Sequence, residues 1–176
     1  MNIEEQILNA ESIDLSGKDI MDICKNNTEI VPYHELKAYN SIEDLLQAQG
    51  SVILLYELRA NFGHWVCLYY DKNKTLNFFD SYGMKPDEEL KYASYNLTEG
   101  RPYLTLLLEK YKGKFIYNDK RLQVFKNHVN TCGRWVAIRI LTKDKYTMKE
   151  FQDLFKTFKN NGDFYVSALT FLQTLD

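Results

Sequence analysis

A chain of 176 residues with 45% hydrophobic side chains has the length of one compact domain, residues 1–176, and enough apolar matter to bury a core without disulfides or metal. Its 22 Lys and Arg against 24 Asp and Glu leave a net charge of -2, which removes any general electrostatic reason to bind nucleic acid or an anionic membrane. Three widely spaced cysteines, Cys24, Cys67 and Cys132, fit a reducing compartment better than a disulfide framework, and the acidic N-terminal stretch and lack of a bilayer-length apolar run predict an intracellular protein with no membrane span.

Ser16 with Asp19 reads as an N-cap and acidic first turn, predicting a short helix through Ile20 and Ile23. Ser41 and Asp44 repeat the signal for a helix over residues 42–49, stopped by Gly50. The apolar run 52–56 predicts a buried strand, and 64–70 and 76–79 predict a hairpin around the polar turn 71–74. Pro102 starts a helix over 104–111; residues 115–117 and 122–125 read as short strands, followed by the polar loop 126–131. Val136, Ala137, Ile140 and Leu141 recur at helical spacing, so a helix begins at or just after Cys132. Thr147 to Glu150 is a capping-box pattern for a helix whose apolar face is Phe151, Leu154, Phe155 and Phe158. Residues 164–175 form either a last helix capped by Asp163 or a strand, the helix being favoured. The sum is an α+β domain with a central mixed sheet flanked by helices.

Alternation along the hairpin puts His64, Val66 and Leu68 on one face, and Leu76, Phe78 and Asp80 on one face of the next strand. If those faces share the core, Leu68 lies against Leu76 and His64 opposite Asp80, Cβ atoms roughly 5 Å apart. A carboxylate there would fix the imidazole tautomer and stabilise the imidazolium formed when the other nitrogen takes a proton. Cys132, at a helix start, gains from free backbone N–H groups and the helix dipole, which favour a thiolate. Gly133 leaves room for a substrate backbone, the Cys132 N–H can donate to an oxyanion, and Gln123 is a candidate second donor because a neutral amide does not titrate.

The bland alternatives are plain. Cys67 lies on the strand face opposite His64, and Cys24 on a short amphipathic helix reads as core. His128 competes with His64 for the base role but has no obvious carboxylate partner, and His34 reads as a surface residue. Asp80 has a turn-capping alternative with Ser81 and Gly83. Trp65 and Trp135 adjoin candidate site residues, as walls or as core; Tyr69, Tyr70 and Tyr82 are candidates for lining a peptide groove or shielding the core. Arg134 and Arg139 read either as partners of acids or supports of a thiolate, or as solvated helix residues. No Cys-x-x-Cys or His-x₃-His pair supports zinc.

Gly63-His64-Trp65, the run Phe78 to Gly83 (FFDSYG), Gln123 and Thr131-Cys132-Gly133 stand in an order that resembles the adenain-like and ubiquitin-like-protein-specific cysteine proteases. The likeness is nearest to the small capsid-maturation proteases of adenoviruses, virophages and related DNA viruses, and it covers roughly residues 52–141. It implies a papain-like cysteine protease of the adenain/SUMO-protease type, with Cys132 as nucleophile, His64 as base, Asp80 as orienting acid and Gln123 in the oxyanion hole. Trp65 and Gly133 would adjoin the substrate. No cofactor is implied. The implied client is a viral structural protein cut during particle maturation, and the implied setting is host cytoplasm or viral factory, with packaging in the virion. Some relatives need a peptide or nucleic-acid activator; a monomer is expected. The Gln123-to-Cys132 spacing is slightly longer than in the family, so the loop must bulge or Asn127 must supply the donor. Thr131 replaces the acidic residue common in SUMO proteases, which leans the likeness toward the viral branch. The alternatives are a deubiquitinase-like or deSUMOylase-like protease, an acetyltransferase using the same triad, or an inactive peptide-binding module.

Overall fold

In the computed structural model, which describes residues 1–93, 98–158 and 161–173, five strands form one sheet: β1 (Glu29–Pro32), β2 (Ser51–Arg59), β3 (Phe62–Tyr70), β4 (Leu76–Phe79) and β5 (Phe115–Tyr117). They lie in chain order across the sheet, with β1–β2 and β4–β5 parallel and β2–β3–β4 antiparallel. Both faces are covered, which is why β2 reads as an unbroken apolar run. Alternation sends Ile53, Leu55, Trp65, Cys67 and Phe79 to one core, and Val52, Leu54, Val66, Leu68, Leu76 and Phe78 to the other.

The first core is closed by α2 (Gly17–Ile23), α5 (Cys132–Thr142), α6 (Met148–Lys156) and α7 (Gly162–Gln173). The second is closed by a 3₁₀ helix (Tyr33–Ala38), α3 (Ile42–Leu45) and α4 (Tyr103–Lys110). The chain is a single-domain α+β fold with a five-stranded mixed sheet. No helix among the described residues is long and apolar enough to cross a membrane.

The cap signals of the sequence operate in the fold. Ser16 Oγ accepts from Asp19 N while Asp19 answers at Ser16 N, and Thr147 Oγ1 accepts from Glu150 N. Four expectations are corrected. The helix after Ser41 stops at Leu45 rather than residue 49, its end turning through Gly50 at φ +68. Residues 122–125 form no strand, because Leu122 N and Gln123 N both bond to the Ser81 carbonyl and Val124 N to the Asp163 carboxylate. The last segment is α7, and it starts one residue before Asp163, whose carboxylate turns to other partners than a cap. In the hairpin, Leu68 pairs with Phe78 rather than Leu76, because the Asp71 carboxylate accepts from Asn73 N and Thr75 N and so closes a turn two residues longer than that pairing would leave. The shift is two residues, so every side chain keeps its face. The fold also contains α1 (Ile3–Ala10) and β1, which no sequence signal above indicated.

Arg134 and Arg139 are buried rather than solvated. α5 is buried all the way from Cys132 to Ile140, so its polar residues must find partners inside. Arg134 Nη1 donates to Thr170 Oγ1, while Arg139 Nη2 donates to the Thr142 and Tyr146 carbonyls at 3.0 and 2.6 Å. The Arg139 guanidinium also lies 4.3 Å from the Phe151 ring centroid. It thereby ties the end of α5 to the start of α6. Arg139→Ala strips the Tyr146 carbonyl of that donor, while the Thr142 carbonyl keeps Lys145 N and Tyr146 N, and is expected to lower unfolding free energy by about 2 kcal/mol, read as a reduced urea midpoint at unchanged slope.

Candidate active site

Two glycines in the motifs that single out this region are required by backbone crowding. A Cβ on Gly63 would sit 1.8 Å from the Tyr56 carbonyl oxygen, so only glycine lets β3 cross β2 there and set His64 against Tyr56. Gly83, at φ +76, lies so close to the 120–121 backbone that a Cβ would stand 2.7 Å from the Lys120 carbonyl carbon. The chain after β4 therefore folds tightly onto the segment before Gln123.

Asp80 follows β4 directly and is fully buried. With the observed register it lies diagonal to His64 on the same face, and the imidazole reaches it: His64 Nε2 stands 2.9 Å from Asp80 Oδ1. The same oxygen accepts from Tyr82 N at 2.8 Å, so Asp80 both caps its turn and holds the histidine. The Tyr82 ring stacks on His64 with centroids 4.9 Å apart. Engagement of Nε2 by the carboxylate leaves Nδ1 as the nitrogen available to a second partner.

Cys132 lines the same cleft as that ring. It begins α5, beyond Thr131, which offers no side-chain cap to the helix N-terminus. Its thiol lies against the His64 ring, and burial of that ring, which works against charge, is outweighed by the Asp80 charge and hydrogen bond with Cys132 adding to them. The imidazole is thus held well above its ordinary value of 6.5. Burial pushes the Cys24 thiol up to about 12 and drives Cys67 in the same direction against the nearby Arg139 charge, as expected of core cysteines.

Gln123 reaches the site from an irregular segment. Ser81 Oγ donates to Gln123 Oε1 at 2.7 Å, and Gln123 Nε2 donates to Tyr82 Oη at 3.1 Å and the Val129 carbonyl at 3.4 Å. The loop of residues 124–131 bulges between Gln123 and Cys132, and Asp163 closes its base. That carboxylate accepts from Val124 N, Thr131 Oγ1 and Trp135 Nε1. A cleft of about 430 Å³ opens over His64, Gln123 and Cys132, with Leu58, Phe62, Met84 and Phe125 on its apolar walls.

The structure brings His64, Asp80, Cys132 and Gln123 together. It does not bring Trp65 or Gly133 to the cleft: Trp65 is buried on the other face of β3, its Nε1 donating to the Leu15 carbonyl, and a Cβ on Gly133 would meet Leu15, Ile20 and Trp65 at 3.2–3.3 Å. Gly133 thus serves close packing beneath the site. Asn127 and His128 are exposed outside the cleft lining, Trp135 and Tyr69 are core, and His34 pairs with Glu57. Of the tyrosines proposed for the groove, Tyr82 lines it.

Of two further residues at the site, Glu89 carries no signal in the sequence, and Asp163 reads there only as a helix cap. Glu89 lies on a 3₁₀ helix (Glu88–Tyr92) and its Oε1 is 3.8 Å from His64 Nε2. Among the described residues, His64, Asp80 and Glu89 are the one group of metal-ligating side chains that converges, their atoms within 4.8 Å of one another. The imidazole already spends Nε2 on Asp80 Oδ1, so that nitrogen is not free to ligate an ion in this arrangement. The polar run that contains Glu89 offered nothing but solvated acids to a reader of sequence.

Fold and site together define an α+β domain in which a cysteine at a helix N-terminus meets a histidine–aspartate pair at the floor of a cleft. No family model matches the chain. It is 39% identical over 167 residues to "Uncharacterized protein V9" of Sputnik virophage, a match that covers 91% of this chain and 95% of V9, and the chain belongs to the same family as that virophage protein.

Proposed function

We propose that the protein is a cysteine endopeptidase of the adenain/SUMO-protease type that processes viral capsid or other structural protein during virion maturation. The single observation that carries the reading is the convergence of Cys132, His64, Asp80 and Gln123, from four separate stretches of chain, on one cleft. Kinship with a virophage protein supports a viral client. Apolar walls at Leu58, Phe62 and Phe125 suit an extended peptide.

In this mechanism the Cys132 sulfur attacks the scissile carbonyl carbon, and His64, held by Asp80, carries the proton that the thiol gave up. The tetrahedral oxyanion takes hydrogen bonds from the Cys132 N–H at the start of α5 and from Gln123 Nε2, which exchanges its bond to Tyr82 Oη for the oxyanion. The imidazolium then protonates the leaving amine and the C–N bond breaks, leaving a thioester. Water, deprotonated by His64, attacks that thioester and releases the acyl product as a carboxylic acid.

The test incubates wild-type protein and Cys132→Ala with candidate capsid proteins and reads new termini by mass spectrometry. Wild type is expected to generate discrete termini and Cys132→Ala to lose at least about a thousandfold in rate. Cleavage of ubiquitin-like conjugates with capsid protein untouched would move the client to the host. Identical behaviour of wild type and Cys132→Ala on every substrate, with no selective alkylation of Cys132, would leave a binding module.

A further inference from the structure

Asp80 and Glu89 present two carboxyl groups to one imidazole in a place that water barely reaches: Asp80 is 0% exposed and Glu89 6%. Asp80 Oδ1 is satisfied by His64 and Tyr82 N, but Asp80 Oδ2 and Glu89 Oε1 have no donor among the described residues. Two buried carboxylates side by side repel, and each orphaned acceptor costs free energy; a single shared proton removes both costs. Glu89 is not free to swing away. Its helix is preceded by Asp87, whose carboxylate accepts from Tyr33 Oη, Tyr56 Oη and Thr105 N, while Asp87 N donates to Tyr56 Oη.

We propose that Glu89 is a positioning residue of the site, whose carboxyl carries the proton that bridges to Asp80 Oδ2 and so fixes Asp80 Oδ1 against His64. The inference rests on the reading of His64 and Cys132 as base and nucleophile, and it assigns Glu89 no contact with substrate. Burial pushes the Glu89 carboxyl up to about 7, His64 opposing and Asp80 adding, so the bridging proton is held up to neutral pH and lost above it. The charged or titratable groups facing Glu89 are His64 on β3, Asp80 after β4, Tyr82 beyond it and Lys91 on its own helix. Tyr56, Asp14 and Cys132 share the cleft. With Glu89 neutral, imidazolium and Asp80 balance; once Glu89 ionises the cluster carries a surplus negative charge.

Glu89→Gln keeps a donor toward Asp80 and cannot ionise, whereas Glu89→Ala removes the donor. The experiment follows the His64 ring resonances by NMR from pH 5 to 10, the infrared band of a protonated carboxyl, and iodoacetamide alkylation of Cys132. Wild type is expected to show a His64 shift inflection near pH 7 and a protonated-carboxyl band at pH 6, both absent in Glu89→Gln. Alkylation at pH 6 falls about tenfold in Glu89→Ala, the loss of one hydrogen bond to a charged group, and returns in Glu89→Gln. Wild type and Glu89→Gln with the same His64 titration and no carboxyl band to lose would overturn the proposal. None of these readouts needs peptide hydrolysis. A protein that cleaves nothing yet shows the Glu89-dependent inflection would sink the peptidase and keep the proton bridge.

Discussion

His64→Ala is expected to lower both peptide hydrolysis and Cys132 alkylation near pH 7 by roughly 10²- to 10⁴-fold, and to cost stability as well, because the buried Asp80 carboxylate loses its imidazole partner. The imidazole supplies the positive charge beside the sulfur and the proton for the leaving group, and among the described residues no other imidazole lines the cleft: His128 stands outside it. Asp80→Asn separates the two contributions that set the ring. Burial, which disfavours charge, remains, while the negative charge that overrides it is gone, so His64 must titrate at lower pH than in wild type. The alkaline limb of hydrolysis moves with it. The sign for stability follows from the same shift: a histidine held above 6.5 in the fold contributes stability that is complete below 6.5 and is lost as pH rises through the folded value. Wild type therefore loses this contribution on the alkaline side and Asp80→Asn never has it, which pH-dependent urea melts will distinguish. Equal alkylation of wild type and His64→Ala would remove the basis for calling Cys132 a nucleophile.

What was legible in the sequence and what was not divides along the range of the interactions. The pleat alone predicts that His64 and Asp80 share a face, and that survived a two-residue register error because both shifts of one strand past another by two preserve the face. The register itself was set by the Asp71 side chain folding back on Asn73 N and Thr75 N, a local bond the alternation pattern does not encode. The helix start at Cys132 was legible from the spacing of its apolar residues. Its arginines were not, because charge on a helix reads as solvent-facing unless the helix is buried all round, and that depends on α6 and α7 arriving from further down the chain. β1 is four residues ending in Pro32 and carries too short a pattern to see. Gln123 was placed on a strand it does not form; what holds it is Ser81, 42 residues away, through side chain and carbonyl together. Glu89 and Asp163 sit in runs rich in polar residues, and their burial exists only once the sheet end and α5 close over them.

Asp163→Ala is the substitution expected to cost the most stability, about 4 kcal/mol, because it strips three buried donors of one shared carboxylate. Asp163 Oδ2 receives Val124 N at 2.9 Å, and Oδ1 receives Trp135 Nε1 at 2.9 Å together with Thr131 Oγ1. Val124 follows Gln123 and Thr131 precedes Cys132, so the carboxylate pins both ends of the loop that separates the oxyanion donor from the nucleophile. Loss of stability and loss of site geometry are therefore coupled. Asp163→Asn keeps one oxygen for Thr131 and Trp135 but turns an amide N–H toward Val124 N, donor against donor, and should fall between wild type and alanine. At a temperature where each variant is shown folded by circular dichroism, Cys132 alkylation and peptide hydrolysis are expected to drop about tenfold or more in Asp163→Ala. A variant with an unchanged urea midpoint would show that the loop is held by its other contacts. A lowered midpoint with unimpaired alkylation would show that the carboxylate serves the fold alone, and that Cys132 keeps its place through α5 without it.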